Sequence, residues 1–178
     1  MPVYRVPAGV SNAVERLDRW EIDTDSVVEI AVPEWARGAV VYQIFPERFR
    51  DAYPSNGPQP TAAWGSEPGW LEFQGGDLAG IAEKVPYLAE LGVDAVYVNP
   101  IFKSPSNHRH DTIDQYEVDP MLGGNEALRE LITVLQDSGI RLIMDASFNH
   151  CHPRFFAFAD LLTNGRESQY ASWFVVED

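Results

Sequence analysis

Cysteine is nearly absent from this chain. Cys151 is the only one among 178 residues, which excludes an internal disulfide and fits a reducing compartment. As a lone thiol it is expected to behave as a small buried apolar residue. Basic residues are also scarce, with 13 Lys and Arg against 27 Asp and Glu, for a formal net charge of -14. Phosphate binding needs a basic face, so a nucleic-acid partner is excluded. Long apolar runs are missing too. Nothing approaches the roughly 20 residues of a membrane-spanning helix, and Met1–Arg19 lacks the apolar centre of a signal peptide. A soluble, cytoplasmic protein is expected. What remains is a chain with an ordinary hydrophobic share of 45%, enough to build a core.

Residues 1–32 read as a polar lead-in, with Val27–Val32 as a short strand. Residues 33–178 read as one domain. Ala39–Phe45 is a nearly continuous apolar run ended by Pro46, the pattern of a strand buried on both faces. Residues 50–76, rich in Pro, Gly, Ser and Asn, form a long loop of the kind that usually carries function. Asp77 can cap a helix bearing Leu78, Ile81, Val85, Leu88 and Leu91 at spacings of three and four. Pro86 predicts a break within it. Val93–Asn99 is a second strand. Asn125 can cap a second helix carrying Leu128, Leu131, Ile132 and Leu135. Ile140–Asp145 is a third strand, and a helix with Phe155, Phe158 and Leu162 follows.

Strand, helix, strand, helix, strand implies a parallel sheet with right-handed crossovers. A doubly wound dinucleotide fold would want G-x-G-x-x-G directly after its first strand. Gly75-Gly76-Asp77-Leu78-Ala79-Gly80 comes some thirty residues late and lacks that spacing. The (β/α)8 barrel is therefore the expected architecture, with about three strands present and the barrel not closed by this chain alone. In either architecture function sits at the carboxyl ends of strands. Polar groups fall there. Tyr42 lies within the first strand, with Gln43 and Glu47 near its end. Asn99 ends the second, and Asp145, Asn149 and His150 follow the third. Such a rim can hold a polyhydroxylated ligand through several hydrogen bonds, each worth about 0.5–1.5 kcal/mol.

At these positions the chain resembles the α-amylase family, glycoside hydrolase family 13. Asp145-Ala146-Ser147-Phe148-Asn149-His150 is similar to that family's first conserved region. Val41–Phe49 resembles the first barrel strand of its neopullulanase and cyclomaltodextrinase branch. Gly75–Leu78, Asn107–Thr112, Val118–Pro120 and Tyr170–Phe174 match in the same order and spacing.

The resemblance implies a retaining hydrolase or transglycosylase acting on maltooligosaccharides, cyclodextrins or related α-glucans. It places Asp145 at the sugar beside the cleaved bond, His150 on that sugar's 6-hydroxyl, and Tyr42 at the same subsite, with Asn99 and His110 completing the substrate-binding set. His110 stands where the family usually has a tyrosine, so a smaller ring faces the sugar. The family's nucleophile and acid/base belong to later strands. Retention needs two carboxyls about 5 Å apart, and the adjacent Glu177 and Asp178 are poor candidates. The chain alone is therefore expected to be inactive and to associate with itself or with the missing strands.

No cofactor is implied. A weak calcium site is implied by Asp51, Asn56, the Gly75 carbonyl and Asp77, with Asn149 matching a second calcium ligand of many relatives. Tyr53 and Gly57 replace two expected oxygen ligands. Two other readings stand beside this one. The H-x-H pairs His108/His110 and His150/His152 can ligate a hydrolytic zinc if they converge. A non-catalytic glucan-binding or subunit-interaction module can instead use Tyr53, Trp64 and Trp70, which otherwise pack against the barrel rim.

Overall fold

The computed structural model describes residues 31–57, 62–63 and 65–175. The first four residues of the Val27–Val32 strand, together with Trp64, Glu177 and Asp178, lie outside them. The chain divides into two compact units, 1–38 and 39–178. Described residues of the first form a single 3-10 turn, Glu34–Ala36, with an exposed Arg37–Glu34 ion pair at 3.6 Å.

In the second unit the apolar runs become strands β1 (Val41–Ile44), β2 (Ala95–Val98) and β5 (Arg141–Met144). They form one parallel sheet in the order β1-β2-β5. Each is shorter than the apolar run that predicts it, because the ends turn out into loops.

The predicted first helix is broken as Pro86 requires. α1 (Leu78–Glu83) and α2 (Val85–Glu90) meet at Lys84, and Pro86 sits in the first turn of α2, where its missing N–H costs nothing. Asp77 caps α1 by accepting from Gly80 N at 2.7 Å. α3 (Gly124–Asp137) starts two residues earlier than a cap at Asn125 would give, after Gly123 at φ 95°. Asn125 is not its cap. Its Oδ1 accepts instead from Val118 N at 3.1 Å, tying the helix to the preceding strand. In α4 (Phe156–Asn164) the buried residues are Ala157 and Leu161, whereas Leu162 is exposed. A two-stranded antiparallel sheet, β3 (Phe102–Lys103) with β4 (Asp114–Val118), has no counterpart in the sequence reading. Its strands are too short and too polar to show periodicity.

Strand register decides which residues share a face. Tyr42, Val96 and Leu142 are in line, as are Ile44, Val98 and Met144. Alternation puts both rows on one side of the sheet. There Ile44, Val96 and Val98 pack with Leu78, Ile81, Val85 and Leu88 of α1–α2 and Leu131 and Leu135 of α3 to form the core. The opposite face carries Gln43, Tyr97 and Ile143 in line.

Close packing continues where the long loop returns. A Cβ on Gly76 would lie 2.1 Å from the Pro46 carbonyl oxygen and 2.8 Å from the Glu47 carbonyl carbon. Both are backbone atoms that cannot step aside. Gly76→Ala is expected to destabilise the fold by about 1–3 kcal/mol, the usual cost of overpacking. Urea unfolding checks this, with unchanged stability counting against so close an approach.

Candidate functional site

The deepest polar feature is a buried ion cluster under the loops. Arg109, Glu47 and Asp119 are each between 1% and 3% exposed. Arg109 Nε donates to Asp119 Oδ2 at 2.8 Å, its Nη1 donates to the Asn107 carbonyl at 2.9 Å, and the same Nη1 lies 3.6 Å from Glu47 Oε2. Glu47 Oε1 accepts from Gln74 N at 2.5 Å and Gly75 N at 2.7 Å. Burial raises the Glu47 pKa above its ordinary value of 4.5, while these amides and Arg109 pull the other way. Three charges thus fasten three loops: the one leaving β1, the return at 74–75, and the segment 107–119.

Arg109 has φ 57°, the one positive φ among described non-glycine residues. That conformation costs about 1–2 kcal/mol. It sends the guanidinium inward while His108 stays exposed and His110 half-exposed.

His110 therefore reaches the open sheet face. Its Nε2 lies 3.4 Å from Asp145 Oδ2. Tyr97, from β2, faces the same carboxylate, and burial first and then Asp145 push its phenol pKa up. Beside them Gln43 Nε2 donates to Asn99 Oδ1 at 2.9 Å. Backbone bonds from Asn99 N to the Ile44 carbonyl and from Asp145 N to the Val98 carbonyl, both 2.9 Å, carry the strand register to these side chains. An imidazole, a carboxylate, a phenol and two amides are gathered at the strand ends, a set suited to sugar hydroxyls.

Asp111, next to His110, turns away. It accepts from Ser104 Oγ at 2.7 Å and from Ser106 Oγ. Although burial opposes ionisation, those hydroxyls hold its carboxyl below the usual range.

Asn99, His110 and Asp145 thus come together. Tyr42 does not join them. It lies on the helix side of the sheet, packed on the core and edge-on to Phe49 with centroids 6.4 Å apart. Strand alternation is the reason, since Tyr42 and Gln43 must face opposite ways. His150 is exposed, and its hydrogen bond among the described residues is to Asn149, Nδ1 to Oδ1 at 2.8 Å. Sequence reasoning passed over Tyr97, although its place two residues before Asn99 on a strand was signal enough. It named Glu47 as a rim group, but the structure buries it.

Among the described residues no group of three or more His, Cys, Asp or Glu side chains converges to hold an ion. His108 Nδ1 accepts from His110 N and lies 3.3 Å from Ser106 Oγ, and His152 Nδ1 accepts from Arg154 N, so the two H-x-H pairs serve local turns. Of the implied calcium ligands, Asp77 gives both oxygens to backbone amides of Ala52, Tyr53 and Gly80. Gly75 is buried, its N–H donating to Glu47, which leaves the carbonyl as the atom it could offer an ion. Asn56 is half-buried, its N–H donating to the Tyr53 carbonyl in a turn. Asn149 is exposed and bonded to His150. Among the described residues the buried Asp51 Oδ1 has no hydrogen-bond partner, and burial and the Asp77 charge raise its pKa. Asp51, the Gly75 carbonyl and Asn56 together still fall short of the six to eight oxygens that calcium takes, and the set does not fit a calcium cage. Cys151 is half-buried rather than buried, and burial pushes its thiol pKa up, away from a reactive thiolate.

The α-amylase catalytic domain family matches residues 43–178. The chain belongs to the α-amylase family. Within it, neopullulanase 2 of Thermoactinomyces vulgaris is 49% identical over 148 residues, covering 82% of this chain and 25% of the relative. A cyclomaltodextrinase of Thermoanaerobacter pseudethanolicus is 49% identical over 142 residues, covering 80% and 25%. Among solved structures, the cyclic alpha-maltosyl-(1-->6)-maltose hydrolase of Arthrobacter globiformis superposes with a TM-score of 0.77 at 44% identity, covering 82% of this chain and 33% of that one. The chain spans about a quarter of the length of the curated relatives it matches. An α-amylase catalytic domain implies a (β/α)8 barrel. The three parallel strands among the described residues form an unclosed sheet.

Two outcomes are expected. Arg109→Met leaves Glu47 and Asp119 buried without their cation and should cost about 3–5 kcal/mol in urea unfolding at neutral pH. The Glu47 folded pKa lies above its unfolded value, so its contribution is fully present below 4.5 and is lost as pH rises through the folded pKa. The deficit of the variant should therefore shrink as pH falls toward 4.5. A deficit independent of pH would remove Glu47 from the account. Calcium at millimolar concentration should barely move the melting temperature, whereas a tight site at a thousandfold excess over Kd would add about 4 kcal/mol.

Proposed function

We propose that this chain supplies the first strands of a retaining α-glucosidic-bond hydrolase or transglycosylase acting on maltooligosaccharides, cyclodextrins or related α-glucans. The observation that carries the reading is the cluster of His110, Asp145 and Tyr97 beside the Gln43–Asn99 pair, at the strand ends of an α-amylase catalytic domain. Asp145 binds hydroxyls of the sugar at the cleaved bond, and His110 and Asn99 flank it. His150 reaches the 6-hydroxyl from the loop after β5. An oxocarbenium-like transition state is favoured by such bonds strengthening as charge develops. The names of the relatives, neopullulanase and cyclomaltodextrinase, support the substrate class. The cytoplasm is the compartment this reading favours, in line with a relative named intracellular maltogenic amylase in Bacillus subtilis, 44% identical. No helix among the described residues is long and apolar enough to cross a membrane.

The cluster holds one carboxylate, and no nucleophile and proton donor flank a bond there. These 178 residues by themselves should not turn over a chromogenic maltoside. They should also associate. Among the described residues the outer edges of β1 and β5 pair with no further strand. Met144, Tyr116 and Phe148, which are 47%, 77% and 88% exposed, line a shallow cavity of about 320 Å³ with Phe102 beside β5. Open edges and exposed apolar surface invite another chain.

Light scattering at micromolar concentration should show oligomers, and a well-folded monomer would defeat that claim. In an active, assembled barrel, Asp145→Ala or His150→Ala should lower turnover about 10- to 100-fold, as loss of a charged hydrogen bond does. Unchanged kinetics in both would overturn the assigned site.

A further inference from the structure

A second feature of the rim takes no part in the polar cluster. Trp70 is 89% exposed and Leu71 is 77% exposed, on the turn Gly69–Glu72 of the long loop. An indole left in water on a loose loop would need no explanation, but this turn is held from three sides. Asn107, 4% exposed, donates through Nδ2 to the Trp70 carbonyl at 3.1 Å and the Glu72 carbonyl at 2.9 Å. Arg48 Nη2 donates to the Gly69 carbonyl at 2.9 Å. Gly69 N donates to Glu72 Oε2 at 3.1 Å, closing the turn on itself. The backbone under Trp70 is thus fastened while its ring is presented outward, an arrangement that lowers the ordering cost of binding. Asn107 also belongs to the loop that carries His110 to Asp145, three residues further on.

We infer that Trp70 is a stacking platform for a pyranose ring of an α-glucan, an outer subsite fixed by Asn107 to the same loop that builds the polar cluster. This rests on the glucan-acting reading above. The chemistry fits a neutral sugar. A pyranose offers an apolar C–H face to the indole, and its hydroxyls can donate to the exposed carboxylate of Glu67 nearby in sequence. The net charge of -14 argues against an anionic ligand. A protein partner of standard size would need a far larger apolar patch than the one tryptophan and one leucine of this turn.

Tryptophan fluorescence titrated with maltotriose tests the inference, at submicromolar protein, on the parent chain and on Trp70→Ala, Trp70→Phe and Asp145→Ala. Removing an exposed ring takes nothing from the core, and circular dichroism verifies folding. The expected result is saturable binding that weakens about tenfold in Trp70→Ala and is restored to within about threefold of the parent by Trp70→Phe. Retention of full affinity in Trp70→Ala, with loss in Asp145→Ala, would overturn the platform and leave the polar cluster standing. Absence of any maltotriose binding by the parent would overturn both. Emission that depends on protein concentration without sugar, and loses that dependence in Trp70→Ala, would make Trp70 a contact between copies and overturn the platform.

Discussion

The buried guanidinium of Arg109 ties together the loop leaving β1 and the segment 107–119 at the carboxyl rim. An isolated charge at that depth would be costly, since desolvation of each ion takes several kcal/mol. Here the cost is offset by Asp119 at 2.8 Å, Glu47 at 3.6 Å and the Asn107 carbonyl at 2.9 Å. The balance is imperfect. Among the described residues Arg109 Nη2 has no hydrogen-bond partner, and Glu47 is held above its ordinary pKa. Replacing such a cluster by apolar groups can be neutral, whereas removing one partner is costly. The left-handed backbone at Arg109 accompanies an inward side chain between an exposed His108 and a half-exposed His110.

From that anchor the site is built outward in two directions. Toward the sheet, His110 meets Asp145 and Tyr97, groups delivered by strand ends whose register is set by backbone bonds. Toward the long loop, Asn107 pins the turn that displays Trp70. Other ties reinforce the frame. Gln115 Nε2 donates to the Ser147 carbonyl at 2.9 Å, and His152 N donates to the Thr112 carbonyl at 3.1 Å, so the segment after β5 is held to both β4 and the 107–112 loop. Rigid support of this kind keeps a site built from loops within the narrow geometry that binding requires.

The histidine at 110 changes the chemistry of the rim. An aromatic phenol at this position would offer a broad face to a sugar. Imidazole offers less surface but can donate to Asp145, and it brings a second ring, His108, within 5.5 Å. Under the glucan-acting reading proposed above, such a pair would favour directed hydrogen bonds over stacking at this position.

Much of this was legible in the linear chain. The three apolar runs ended by Pro46, Pro100 and the Asp145 turn are strands in parallel register because helices of the right length separate them. The break at Pro86 and the cap at Asp77 follow from residue chemistry that acts within a few positions. Family membership was carried by motifs at Val41–Phe49, Gly75–Leu78, Asn107–Thr112 and Asp145–His150, and the match over residues 43–178 agrees. Only the tertiary structure decided the rest. Tyr42 and Gln43 are neighbours in sequence yet belong to the core and to the polar face, because alternation fixes their opposition but the covering helices choose the side. Glu47 looked like a rim carboxylate and is a buried counterion, since nothing local tells a residue that an arginine sixty-two positions later will reach it. Asn125 looked like a helix cap and bonds a strand amide instead, because Gly123 already turned the chain. Long-range partners settled these residues, and a long-range partner is what a sequence read one window at a time cannot contain.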